Sequence, residues 1–133
     1  MASPTLPRLV LAAAAVLFAV FGLLFAVAPH QTAALVDIEL PTNTATIDFI
    51  ATYGGFEIGF AIFLFTCLRR PERVRLGLLA SGWAVAGFAV ARGIGMVVIG
   101  GPKPVLFGAL AFEVVCATLA FVAAARANPL SRS

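Results

Sequence analysis

The chain has 133 residues, of which 62% are hydrophobic and 11% charged, with a formal net charge of +3. A soluble domain carries about 25% charged residues, so the polar coat of a soluble globule is missing and lipid is the solvent this composition suits. The basic excess falls at the edges of apolar runs, which makes it a membrane signal rather than a nucleic-acid footprint. The runs are long and continuous, not short and alternating, so helices are expected and a β-barrel is not.

The first run, residues 9–28, follows Arg8. Ala26-Val27-Ala28 resembles a small-residue cleavage site, but a run of about 20 apolar residues exceeds the core of a secretory signal, and Pro29 comes directly after it. An uncleaved first span is therefore expected. His30 at its end reads as an interfacial residue rather than a ligand. Residues 29–48 form the longest non-apolar segment. Val36-Asp37-Ile38-Glu39-Leu40 alternates and Pro41 ends it, which fits a short strand or an interfacial helix. Thr42, Thr44 and Thr46 suit the start of the next helix.

The second run covers residues 49–68 and contains Tyr53, Gly54, Gly55, Glu57 and Gly59. After it come Arg69, Arg70, Arg73 and Arg75. The third run, residues 76–99, holds Trp83, read as a packing residue, together with Arg92, Gly93 and Gly95. Gly100-Gly101-Pro102-Lys103-Pro104 is a tight turn, and the fourth run, residues 105–125, contains Glu113. If the chain threads four times, Arg8, the arginine loop, Arg126 and Arg132 share one side. The other side has Asp37, Glu39, Asp48 and Lys103. The positive-inside rule then places both termini in the cytoplasm. Cys67 and Cys116 would lie roughly 10 Å apart in depth at the rise of an α-helix, so no disulfide between them is expected.

Three charges interrupt the apolar runs. Each costs about 2.5–3.5 kcal/mol at a helix centre on insertion scales. Glu57, Arg92 and Glu113 each lie seven or eight residues from the outer end of their run, so at 1.5 Å per residue all three sit roughly 10–12 Å below the outer edge. Antiparallel helices would gather them into one polar layer, with Arg92 between two carboxylates and one proton shared in the low dielectric. Tyr53, one turn from Glu57, would add its hydroxyl. Gly55 and Gly59 around Glu57, Gly95 near Arg92, and Gly54 and Gly93 beside them are candidate helix-packing glycines. The competing bland readings are an arginine snorkelling outward and an ion network that only sets helix register.

Ala51-Thr52-Tyr53-Gly54-Gly55-Phe56-Glu57-Ile58-Gly59, with Arg92-Gly93 and Glu113, resembles a family of small four-helix bacterial membrane proteins defined as domain of unknown function 4345. The resemblance covers almost the whole chain and implies the architecture without an activity. Similarity to the broader DoxX-like group is at the level of fold alone.

The expected protein is thus a single all-α domain over residues 1–133, an up-down four-helix bundle in the inner membrane with both termini cytoplasmic. The expected function is non-enzymatic: binding a lipid-like or small molecule, or a partner membrane protein, through a polar layer of Glu57, Arg92, Glu113 and Tyr53. The alternative is a proton-linked transporter acting as a homo-oligomer or within a larger complex. An enzyme using a glutamate as acid or base ranks last, since no nucleophile or cofactor motif is present. No metal, cofactor or nucleic-acid partner is expected.

Overall fold

The structure, a computed structural model, describes residues 5–127. Arg132, one of the arginines read as a topology signal, lies outside them. Every regular element among the described residues is helical: α1 (Thr5–Val27), α2 (Pro29–Ala34), α3 (Asn43–Phe49), a π-helical segment (Ile50–Gly55), α4 (Phe56–Leu68), a 3-10 turn (Pro71–Arg73), α5 (Val74–Ile99) and α6 (Pro104–Arg126). The segments from α3 to α4 join into one helix, Asn43–Leu68, and four helices are long and apolar enough to cross a membrane.

The second span starts six residues earlier than its apolar run because polar side chains begin it. Thr42 is the N-cap, its Oγ1 accepting from the Ala45 amide at 3.1 Å, and the Thr46 hydroxyl donates to the Thr42 carbonyl. Such a cap satisfies donors that a helix start otherwise leaves unpaired.

The alternating Val36–Leu40 stretch forms neither strand nor helix. The helix in this loop lies upstream, with Pro29 in its first turn. After Ala34 the chain reverses. The Ile38 amide donates back to Ala33 O at 3.0 Å and the Asp37 amide to Ala34 O at 3.3 Å. Asp37 sits at φ 59, the left-handed position of this helix-ending motif. The backbone groups a strand would have offered to a neighbour are spent on closing α2.

The long helices associate mainly as two pairs. α1 lies along the second span, and α5 along α6. In the first pair Arg8 Nη2 donates to Leu68 O at 3.4 Å. Farther along, a Cβ on Gly22 would stand 2.9 Å from the Ile58 nitrogen, and one on Gly54 would stand 3.0 Å from Ala26 Cβ. In the second pair, Gly82 presses on the Phe121 ring. The pairs join at the end carrying the arginine loop. There Leu11, Leu64, Cys67, Val74, Leu78, Ala123 and Ala124 form the buried core, and Gly77 admits Cys67 and Leu11. Between lipid-soluble helices such close packing, rather than exclusion of water, is the main attraction.

The glycine expectations need correction. Gly54 packs against a neighbouring helix, but Gly59, Gly93 and Gly95 have open space where a Cβ would stand, and Gly55 meets only the Ile50 carbonyl, at 3.8 Å. Close packing falls instead on Gly22, Gly54, Gly77 and Gly82, all buried. The small-xxx-small spacing was present in both sets. Which face of each helix meets a neighbour decided between them. Trp83 is likewise mostly exposed on α5, touching Phe121 edge-on with ring centres 5.1 Å apart.

Candidate functional site

The half of the bundle away from the core holds the charges that interrupt the apolar helices, Glu57, Arg92 and Glu113. Here the second span leans on α1. The Ile50–Gly55 segment makes its contacts chiefly with α1, α3 and α4 rather than α5. Within it the helix is widened: the Phe56 amide donates to Ala51 O, five residues back. Such π turns are rare, often lie at functional sites, and change the angular relation between the residues on either side. Gly54 thereby meets Ala26 on α1, while Tyr53 and Glu57 line a cleft that also touches α5. The Tyr53 ring is held by Phe49 at 4.7 Å and Phe25 at 5.9 Å between centres.

On the other helix pair, α5 and α6 place Arg92 against Glu113. Nε donates to both Glu113 oxygens, at 3.1 and 3.0 Å, and Nη2 donates to Oε1 at 2.6 Å. The two side chains are 28% and 12% exposed, so the pair is mostly withdrawn from the bundle surface. A fork of this kind on a carboxylate is the strong form of the interaction and fixes both side chains in orientation.

Glu57 does not join them. The expected bridge with Arg92 between two carboxylates is absent: among the described residues the ion pairs are Arg92–Glu113 and Lys103–Asp37. The physical reason is helix placement. The Gly22 and Gly54 contacts draw the second span onto α1 and away from α5, and Glu113 already occupies the Arg92 fork. Glu57 Oε2 is buried with no hydrogen-bond partner. The Glu57 side chain is also part of the wall of an open, mostly apolar cleft of about 420 Å³ lined by Thr52, Tyr53, Phe56, Glu57 and Phe88. The Tyr53 hydroxyl donates to no protein group in the described residues.

Three features of this region were not read from the sequence. The π segment coincides with the Thr52-Tyr53-Gly54-Gly55 run, and its glycines were a signal for unusual backbone. Phe88, one turn before Arg92, closes the cleft from α5; a phenylalanine among many carries no such mark. Lys103 Nζ reaches Asp37 at 2.7 Å, tying the α2–α3 loop to the α5–α6 turn. This tie borders a second open cleft of about 400 Å³, which has Arg92 and Met96 in its lining. At the opposite end Arg8, Arg69, Arg70, Arg73 and Arg75 are all exposed, so the basic loop and the charged layer occupy different ends of the bundle. Cys67 and Cys116 are both free thiols.

Four helices long and apolar enough to cross a membrane, with a charge pair between two of them, give the chain the make-up of a small multi-span helical membrane protein. The match to a family model settles which one: the chain belongs to the family described as "Domain of unknown function (DUF4345)", matched over residues 6–124. No curated protein and no solved structure matches the chain.

Proposed function

We propose that this protein is a single-domain, non-enzymatic receptor of the inner membrane that holds a lipid-like or small molecule in the outer half of its bundle. The contacts Arg8–Leu68 and Ala26–Gly54 in one helix pair, and Gly82–Phe121 and Arg92–Glu113 in the other, support an up-down-up-down course. The arginine loop, with Arg8 and Arg126, supports cytoplasmic termini.

The observation that carries the binding reading is the Glu57 carboxylate. An intramembrane carboxylate is costly and pairs with something. Glu113 has its partner, whereas Glu57 Oε2 is buried and unpartnered, and the Glu57 side chain borders a cleft. Glu57 is then the anchoring acceptor and Tyr53 a hydroxyl in the same wall, while the Arg92–Glu113 pair lies outside this lining and fixes α5 against α6. This also sets the reading apart from a network that only holds helix register, because such a network would satisfy Glu57 internally. A proton-linked transporter in which Arg92 alternates between glutamates has less support, since three hydrogen bonds commit Arg92 to Glu113.

Native mass spectrometry of the purified chain tests the proposal and reports subunit number at once. A small molecule retained by the native protein and lost from a folded Glu57→Gln variant is the expected result. An identical set of retained species in both would overturn it.

A further inference from the structure

Resting on the binding reading above, we infer that the Glu57 cleft is a site for a lipophilic cation: an ammonium-type head seated between the Glu57 carboxylate and the rings of Tyr53, Phe56 and Phe88, with an apolar body extending toward the lipid.

The first argument is charge. Arg92 and Glu113 neutralise one another in a forked pair. With Glu57 ionised, the formal charge of the layer is that of Glu57 alone, −1, and a head carrying +1 completes it in place of a proton. The outer half of α1 facing the second span, residues 18–26, has no ionisable side chain to supply this charge. Arg92 is held by Glu113. Lys103 is held by Asp37 at the rim of the bundle. Nothing in the described residues brings a spare cation to Glu57.

The second argument is the chemistry of the walls. Three of the five lining residues are aromatic. The faces of such rings are electronegative and attract cations, most strongly where water is excluded. An anionic head would meet an uncompensated carboxylate, so the lipid and metabolite acids that Arg92 alone would have attracted are disfavoured here. A neutral alcohol would satisfy the acceptor but leave the negative charge in place.

The third argument is access. Phe56 and Phe88 are 56% and 42% exposed on the flank of the bundle, and beside them Gly59 has nothing within 4 Å of a built Cβ. The opening is lateral and apolar, which suits entry from the membrane by a molecule with a hydrophobic body.

The test is calorimetric titration of the full chain in neutral maltoside micelles with tetraphenylphosphonium, a lipophilic cation. Triphenylphosphine oxide serves as its neutral counterpart. Saturable binding of the cation is expected, weakened at least tenfold in Glu57→Gln and several-fold in Phe88→Leu, and unchanged in Lys103→Gln. The neutral compound should show no dependence on Glu57. Equal cation affinity in the native protein and a monodisperse Glu57→Gln, or no saturable binding to the native protein, would overturn the inference. If Glu57→Gln fails to fold, Phe88→Leu decides, because a cation seated elsewhere would not sense it. A neutral species that co-purifies in a Glu57-dependent way, with no cation binding, overturns the cation assignment and leaves the binding reading standing. Absence of both removes the two together.

Discussion

Arg92 and Glu113 stand opposite each other on neighbouring helices, twenty-one positions apart in the chain, and the guanidinium engages both carboxylate oxygens with a shortest contact of 2.6 Å. Each member makes the other tolerable in an apolar span. Removing one leaves a mostly buried charge uncompensated, which is the costly way to break such a pair, whereas removing both need not be. Arg92→Gln and Glu113→Gln singly should each lower the unfolding midpoint in detergent, and the double variant should recover part of the loss. A coupling of about 1–3 kcal/mol is expected from the double-mutant cycle. Additive losses would mean that the pair does not act as a unit.

Glu57→Gln should behave in the opposite sense. The native carboxylate has a buried oxygen with no partner, and an unsatisfied buried group costs about 1–3 kcal/mol, more when charged. Replacing it with an amide should leave the empty protein as stable as the native one or more so. The comparison of Glu57→Gln with Glu113→Gln by thermal unfolding separates the unpartnered glutamate from the paired one.

Glycine substitutions should divide by face rather than by sequence motif. A Cβ at Gly22 or Gly54 would press on the backbone of the opposing helix, so Gly22→Leu and Gly54→Leu should part α1 from the second span. Overpacking of this kind costs about 1–3 kcal/mol or more. Gly93→Leu and Gly95→Leu enter open space and should leave the stability within about 0.5 kcal/mol, as surface substitutions do. A loss at Gly93 or Gly95 accompanied by a change in subunit number would place that face in an oligomer interface.

The Lys103–Asp37 tie is an exposed pair, 65% and 56% accessible. Such pairs are worth about 0.2–1 kcal/mol and weaken with salt. Lys103→Gln should therefore change stability little, and less still at high ionic strength. Its measurable effect should be faster hydrogen exchange in the α2–α3 loop, which it fastens to the α5–α6 turn.

The threading itself is open to reporter fusions. An enzyme active only outside the cytoplasm should give signal when fused after Leu40 or Lys103 and none after Arg73. Signal at Arg73 would invert the orientation.

The sequence alone determined the four long apolar helices and the family. Continuous apolar runs cannot leave their backbone groups unpaired in lipid, so they become helices whatever their neighbours are, and these are long enough to span. It also marked Glu57, Arg92 and Glu113, because charge in such a run is rare enough to stand out. The partnering was decided by tertiary structure. Depth along a helix follows from residue count, but the direction a side chain faces depends on which helices press together and where a turn widens. Gly22 and Gly54 drew the second span onto α1, the π segment turned Glu57 to one side of it, and α6 filled the fork of Arg92. Three charges at one depth thus became a closed pair and one open carboxylate.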